Sequence, residues 1–173
     1  MKDEHIFDTL ERMESIIPDY GYSTVNNVIE TDRNIREFVI NDVSIIKNYM
    51  FHVVQVSFEL QRDRLTDAAE GMWDEVKHLA NRACVSRVPK GKNRKDCESC
   101  QERVNDNLRE LIRKDRELVI AVKDMKSSAY AIYRELFTHG REKHFIKNLN
   151  KIKTYTEDII GILDERDKII AGG

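Results

Sequence analysis

Turn-forming residues are scarce in this chain: seven glycines and two prolines among 173 residues. An all-β protein needs a turn signal roughly every 8–12 residues, so that class is excluded. An excess of one charge is also missing. Lys and Arg total 29 against 31 Asp and Glu, a formal net charge of -2. No global field draws such a chain to nucleic acid or to an anionic membrane, and any such binding must come from a local patch. No apolar run approaches the roughly 18 residues that a membrane-spanning helix needs. The opening MKDEHIFDTLERME is acidic and amphipathic, unlike a secretory signal. Cysteine is limited to three, and an odd count fits a metal site or free thiols better than a disulfide framework. These features place the expected location in the cytoplasm. Gly-rich phosphate loops, G-x-S-x-G, H-E-x-x-H and the Rossmann fingerprint do not occur.

What is abundant is charge with helical spacing. About 35% of the residues are charged, the level of long-helix and coiled-coil proteins. Ile6, Phe7, Leu10, Met13, Ile16 and Ile17 recur every three or four residues, which predicts a short N-terminal helix or arm over residues 1–18 that ends at Pro18. From Val25 the apolar positions run Val28, Ile35, Val39, Ile46, Tyr49, Val53, Val56 and Leu60. Helical character continues through Leu65, Ala69, Met72, Val76, Leu79 and Ala83, with a phase shift near residues 60 to 65. This reads either as one helix of roughly 55 to 60 residues, about 85 Å long and bent near Asp63 or Gly71, or as two helices. Apolar residues of Val43–Leu60 cover more than one narrow face, so this section is expected to be the most buried. The cleanest pattern follows: Val104, Leu108, Leu111, Asp115, Leu118, Val122, Met125, Ala129, Ile132, Leu136 and His139 keep a coiled-coil-like seam, with Gly140 as the stop. A last helix presents Phe145, Leu149, Ile152, Ile159, Leu163 and Ile170.

The expected fold is all-α: a single domain over residues 1–173, an up-and-down bundle of long antiparallel helices. The cysteine-containing, basic loop 84–100 would be the hairpin tip between two of the long helices. A shorter last helix would leave an apolar seam uncovered, so a homodimer is expected.

The loop CVSRVPKGKNRKDCESC holds all three cysteines. Cys97 and Cys100 form a C-x2-C pair, whose thiolates can occupy two corners of a tetrahedral zinc site. Cys84 can fold back as a third ligand and His78 as a fourth, provided that the helix ends or unwinds near Arg82. Six residues on a straight helix turn about 600°, well off one face. Without His78 the fourth ligand is water, an acid such as Asp96, or a group from another subunit. Three cysteines also suit an iron–sulfur cluster with one non-thiolate ligand, or a reversible Cys97–Cys100 disulfide next to the cations Arg94 and Lys95. Three unreactive cysteines are the simplest alternative. Arg87, Lys90, Lys92, Arg94 and Lys95 make residues 87–95 a possible phosphate-binding tip on nucleic acid. No aromatic residue is interleaved there, so a base-stacking platform is missing, and a solvated loop accounts for the same charges.

Asp32, Asp42 and Asp115 fall on the seams. A single polar seam residue commonly fixes register, and a buried carboxylate there needs a partner such as Arg33, Arg36 or Lys123. Glu75-x-x-His78 is one half of a di-iron carboxylate pattern, and the second half is absent. Trp73, Tyr130, Tyr133 and Tyr155 read as packing residues.

Arg134 and His139 stand in the form R-x4-H. The six-residue stretch resembles the motif of the helical HEPN ribonucleases, whose histidine and arginine act on the RNA phosphodiester. The resemblance implies these two residues as candidate catalytic groups. Helix capping by His139 explains the same position, since a cation is favoured at a helix C-terminus. Taken together, the residues indicate a structural or regulatory protein-interaction module with a zinc-stabilised loop. A nucleic-acid-binding tip and a HEPN-like ribonuclease are the alternatives.

Overall fold

The computed structural model describes residues 4–22, 25–85, 98–136 and 142–171. All regular elements among them are helical: α1 (Glu4–Glu14), α2 (Val25–Glu59), α3 (Asp63–Cys84), α4 (Glu98–Glu135) and α5 (Glu142–Ala171). The chain between Val25 and Cys84 is therefore two helices. Three backbone bonds make the break: Leu60 N–H donates to the Val56 carbonyl (3.0 Å), Gln61 N–H to Phe58 (3.0 Å) and Arg62 N–H to Ser57 (2.9 Å). Gln61 has φ 55°, the left-handed conformation. This is the Schellman arrangement, in which the residue past the helix end turns left-handed and the next amide reaches back across the last turn. Glycine usually fills that position; here glutamine does, so the turn carries no glycine signal. Arg62 then starts α3, its carbonyl accepting from Leu65 and Thr66 (both 2.9 Å).

Four helices form the corners of a bundle. α2 packs on α3 and α4, and α5 packs on the same two, so α3 and α4 are diagonally opposite. Cross-links give the directions. Thr66 meets Ser57 at one end of the α2–α3 pair, and Arg36 meets Ala83 at the other, so the two are antiparallel. Lys114 pairs with Glu165 and Glu135 with His144, so α4 and α5 are antiparallel too. Two αα-hairpins thus lie side by side, with α2 running parallel to α4 and α3 to α5.

The expected cysteine-bearing hairpin tip is not confirmed. The antiparallel partner of α2 is α3, reached through the tight turn at residues 60–62. The loop after Cys84 leads instead to the diagonal helix α4, and Cys100 belongs to the first turn of that helix. Residues 86–97 lie outside the described residues.

The core follows the seams. Ile35, Val39, Val43, Ile46, Met50 and Val53 of α2 meet Leu65, Ala69, Met72, Val76, Leu79 and Ala83 of α3, Leu118, Val122, Met125, Ala129 and Ile132 of α4, and Phe145, Leu149, Ile152, Ile159 and Leu163 of α5, all buried. The C-terminal half of α2 buries only this stripe. Phe51 and Phe58 stand out from it, Phe58 at 74% exposure, because α2 has neighbours on one side alone. Tyr49 stacks on Tyr133 (ring centroids 5.3 Å apart), and Phe51 sits against Trp73 (5.7 Å), so the aromatic residues link α2 to both neighbours. α1 rests on α4. Met13, Ile17 and Tyr20 are buried, which ties the arm to the body.

Candidate functional site

At the end of the bundle where α3 stops, the seams of α2, α4 and α5 each carry a charge instead of an apolar residue. On α2 these are Asp32 and Arg36, on α4 Asp115, and on α5 Arg166 and Asp167, all buried. Arg166 is 0% exposed and sits at the centre. Its Nη1 donates to Asp32 Oδ1 (2.8 Å) and its Nε to Asp115 Oδ1, so one guanidinium ties α5 to α2 and α4. Arg36 Nε donates to the other oxygen of Asp32 (2.8 Å) and Nη2 to Asp167. Asp115 Oδ2 accepts from the hydroxyls of Tyr20 (2.8 Å) and Tyr22, which arrive from the segment between α1 and α2. Thr31 holds that segment in place by bonding both the carbonyl and the amide of Gly21.

The network extends to the root of the cysteine loop. Arg36 Nη1 donates to the Val85 carbonyl (2.9 Å) and, more weakly, to that of Ala83 (3.4 Å). These are carbonyls the end of α3 leaves without a helical partner. Arg82 Nη1 also donates to Val85 (3.1 Å), while its other nitrogens bind Asp164 and Asp167 (2.6 Å each for Nη2). Three arginines (36, 82 and 166) therefore face three buried aspartates (32, 115 and 167) and the half-exposed Asp164.

Burial shifts the titrations. It raises the Asp115 carboxyl, against the Arg166 charge and the two tyrosine hydroxyls, which pull it down. The Arg166 guanidinium is opposed by burial and still raised, because Asp115 and Asp32 favour its charge. Tyr20 and Tyr22 are raised well above the phenol range by burial and by the Asp115 carboxylate. The tyrosines are thus donors held in their neutral form. Each aspartate is committed to an arginine, and no carboxylate of the cluster is left to move a proton to a substrate. Replacing such a buried network by apolar residues often costs nothing, and removing one member costs several kcal/mol. Its chemistry is that of a clamp that fixes how four helix ends meet.

The residues named from sequence divide around this clamp. Asp32 and Asp115 are in it, and Asp32 has the partner Arg36 named above. Asp42 lies outside it and pairs with Lys126 (2.6 Å) across α2 and α4. Cys84 and His78 are both exposed on α3. The helix continues through Cys84, which leaves these two side chains about 120° apart around the axis and about 9 Å apart along it. For His78 and Cys84 to share an ion, α3 would have to end or unwind near Arg82; here it runs on to Cys84. Among the described residues, no three His, Cys, Asp or Glu side chains are grouped to hold a metal. Cys97 and the side chain of Cys100 lie outside the described residues. Arg134 is exposed, its guanidinium 5.8 Å from the centre of the Tyr130 ring; His139 also lies outside.

Sequence reasoning missed Arg166, Asp167, Arg82, Tyr20 and Tyr22. For Arg166 the signal was present: Leu163, Arg166 and Ile170 keep the three-four step, which puts the arginine on the α5 seam. The tyrosines had no such signal, since they precede α2 in irregular chain.

No helix among the described residues is long and apolar enough to cross a membrane. The chain matches no protein-family model, no curated protein and no solved structure.

Proposed function

We propose that this chain is a structural or regulatory protein-interaction module: a rigid four-helix post that presents the cysteine-bearing, basic loop after α3, and that acts as a homodimer. The observation that carries the reading is the anchoring of the loop root. Val85, the residue that leaves α3, is held by Arg36 and Arg82, and both belong to the buried charge clamp. Each buried carboxylate there is bound to an arginine, and within the network the Arg166 Nη2 alone is buried without a partner among the described residues, so the network supports a mounting rather than a reaction centre. Cys84, Cys97 and Cys100 are the proposed zinc ligands, with the fourth position filled by water, Asp96 or a group from the second subunit, or by His78 if α3 unwinds.

Metal content per chain, on protein purified without oxygen or chelator, tests the zinc directly. Near-stoichiometric zinc, lost together with thermal stability in Cys97→Ser, is expected. Unchanged metal content and melting in that variant sink the zinc-stabilised loop. Sedimentation equilibrium on the same sample tests the dimer, and a monomer at every concentration refutes it.

A further inference from the structure

The outer faces of α4 and α5 border an open groove of about 560 Å³. Its floor is apolar and shallow: Ile120 is exposed, Ala121 and Ile162 are partly buried, and Gly161 supplies no side chain. Gly161 stands in the interior of α5, where glycine costs about 1 kcal/mol against alanine. A Cβ at that position meets nothing within 4 Å, so packing inside the chain does not demand the glycine. The charges are unevenly arranged. At one end Lys114 pairs with Glu117 (3.2 Å) and Glu165. At the other, Asp124, Glu157 and Asp158 are exposed and make no ion pair with a described residue.

We propose that this groove docks a basic amphipathic helix from a protein partner. From Lys114 to Asp124 the groove runs about 15 Å, close to three helical turns. A narrow apolar floor takes the apolar stripe of such a helix, as in other helix-in-groove contacts. The flat stretch at Ala121 and Gly161 lets the partner backbone come close. Lysines or arginines at one end of the partner meet Asp124, Glu157 and Asp158, which fixes its direction. The same carboxylates repel phosphate, which excludes nucleic acid and anionic lipid from this face. The proposal rests on the reading of the chain as an interaction module, and not on the zinc or the dimer.

The probe is a fluorescein-labelled helical peptide of leucine and lysine, about 14 residues long, leucines spaced three and four apart, titrated at low and high salt. The wild-type chain binds it. Combined Asp124→Asn, Glu157→Gln and Asp158→Asn weakens binding about tenfold at low salt and flattens the salt dependence. Gly161→Leu abolishes binding without lowering the melting temperature, because the site is open. Neutralising three exposed carboxylates elsewhere (Glu37→Gln, Asp67→Asn, Glu70→Gln) leaves binding intact. No binding by the wild type, binding that survives Gly161→Leu, or an equal loss in the control triple overturns the proposal. Self-association of the wild type that Gly161→Leu removes also overturns it, by making a second copy the occupant. Metal content and sedimentation of the wild type, measured in parallel, keep its failure separate from that of the zinc and the dimer.

Discussion

Replacing Arg166 by methionine is the sharpest test of the clamp. The side chain keeps its length and apolar stem but loses the guanidinium. Asp115 then keeps two tyrosine donors and no charged partner, while Asp32 keeps Arg36. Removing one partner of a buried ion pair costs about 3–5 kcal/mol, because a charge stays buried without compensation. In a domain of this size about 1 kcal/mol moves the melting point by roughly 2–4 °C, so a drop of about 6–20 °C is expected. Thermal melting followed by circular dichroism at neutral pH measures the drop, and urea unfolding measures the free energy. Asp115→Asn alone should also destabilise. The double variant should lose less than the two singles summed, with a coupling of about 0.5–3 kcal/mol. Arg166→Lys should fall between wild type and Arg166→Met, since an ammonium keeps the charge but cannot hold two carboxylates in a planar fork. A loss below about 1 kcal/mol for Arg166→Met, or strict additivity with Asp115→Asn, refutes the clamp.

Two further outcomes follow from the same coordinates. Tyr20 and Tyr22 titrate higher folded than unfolded. Their contribution is therefore complete below the ordinary phenol range, about pH 10, and is lost as pH rises above it, at up to about 1.4 kcal/mol per pH unit for each tyrosine. Denaturation midpoints across the alkaline range should show this slope, and the paired change Tyr20→Phe and Tyr22→Phe should remove it; a slope that persists in that variant excludes the two phenols as its source. Gln61→Gly relieves a left-handed glutamine that costs about 1–2 kcal/mol, partly offset by glycine's larger unfolded-state entropy. A net gain of about 0.5–1 kcal/mol in urea unfolding is expected, and a loss would show that Gln61 is not strained.

Periodicity made most of the helices legible before any coordinates. The α4 seam from Leu111 to Leu136 is buried as its spacing requires, and Asp115, the polar residue in it, is buried with its apolar neighbours. The turn at residues 60–62 showed only as a phase shift, because its left-handed residue is a glutamine. The Val43–Leu60 stretch was misleading in another way: its apolar residues exceed what one face can bury, and Phe51 and Phe58 remain outside.

Helical class, the length of the seams and the positions of the polar residues on them are local properties, written into the three-four spacing of side chains along one helix. Partnership is not local. Tyr20 reaches Asp115 across 95 residues and Arg166 reaches it across 51. Which helix lies beside α2 was decided by a tight turn that returns the chain on itself, and by packing that sets α3 and α4 on a diagonal. A buried carboxylate in the sequence announces that a counter-charge must exist. Only the assembled bundle, where desolvation forces each charge to find a partner, decides that it comes from Arg166 of α5, and that the root of the cysteine loop is fastened to the same cluster.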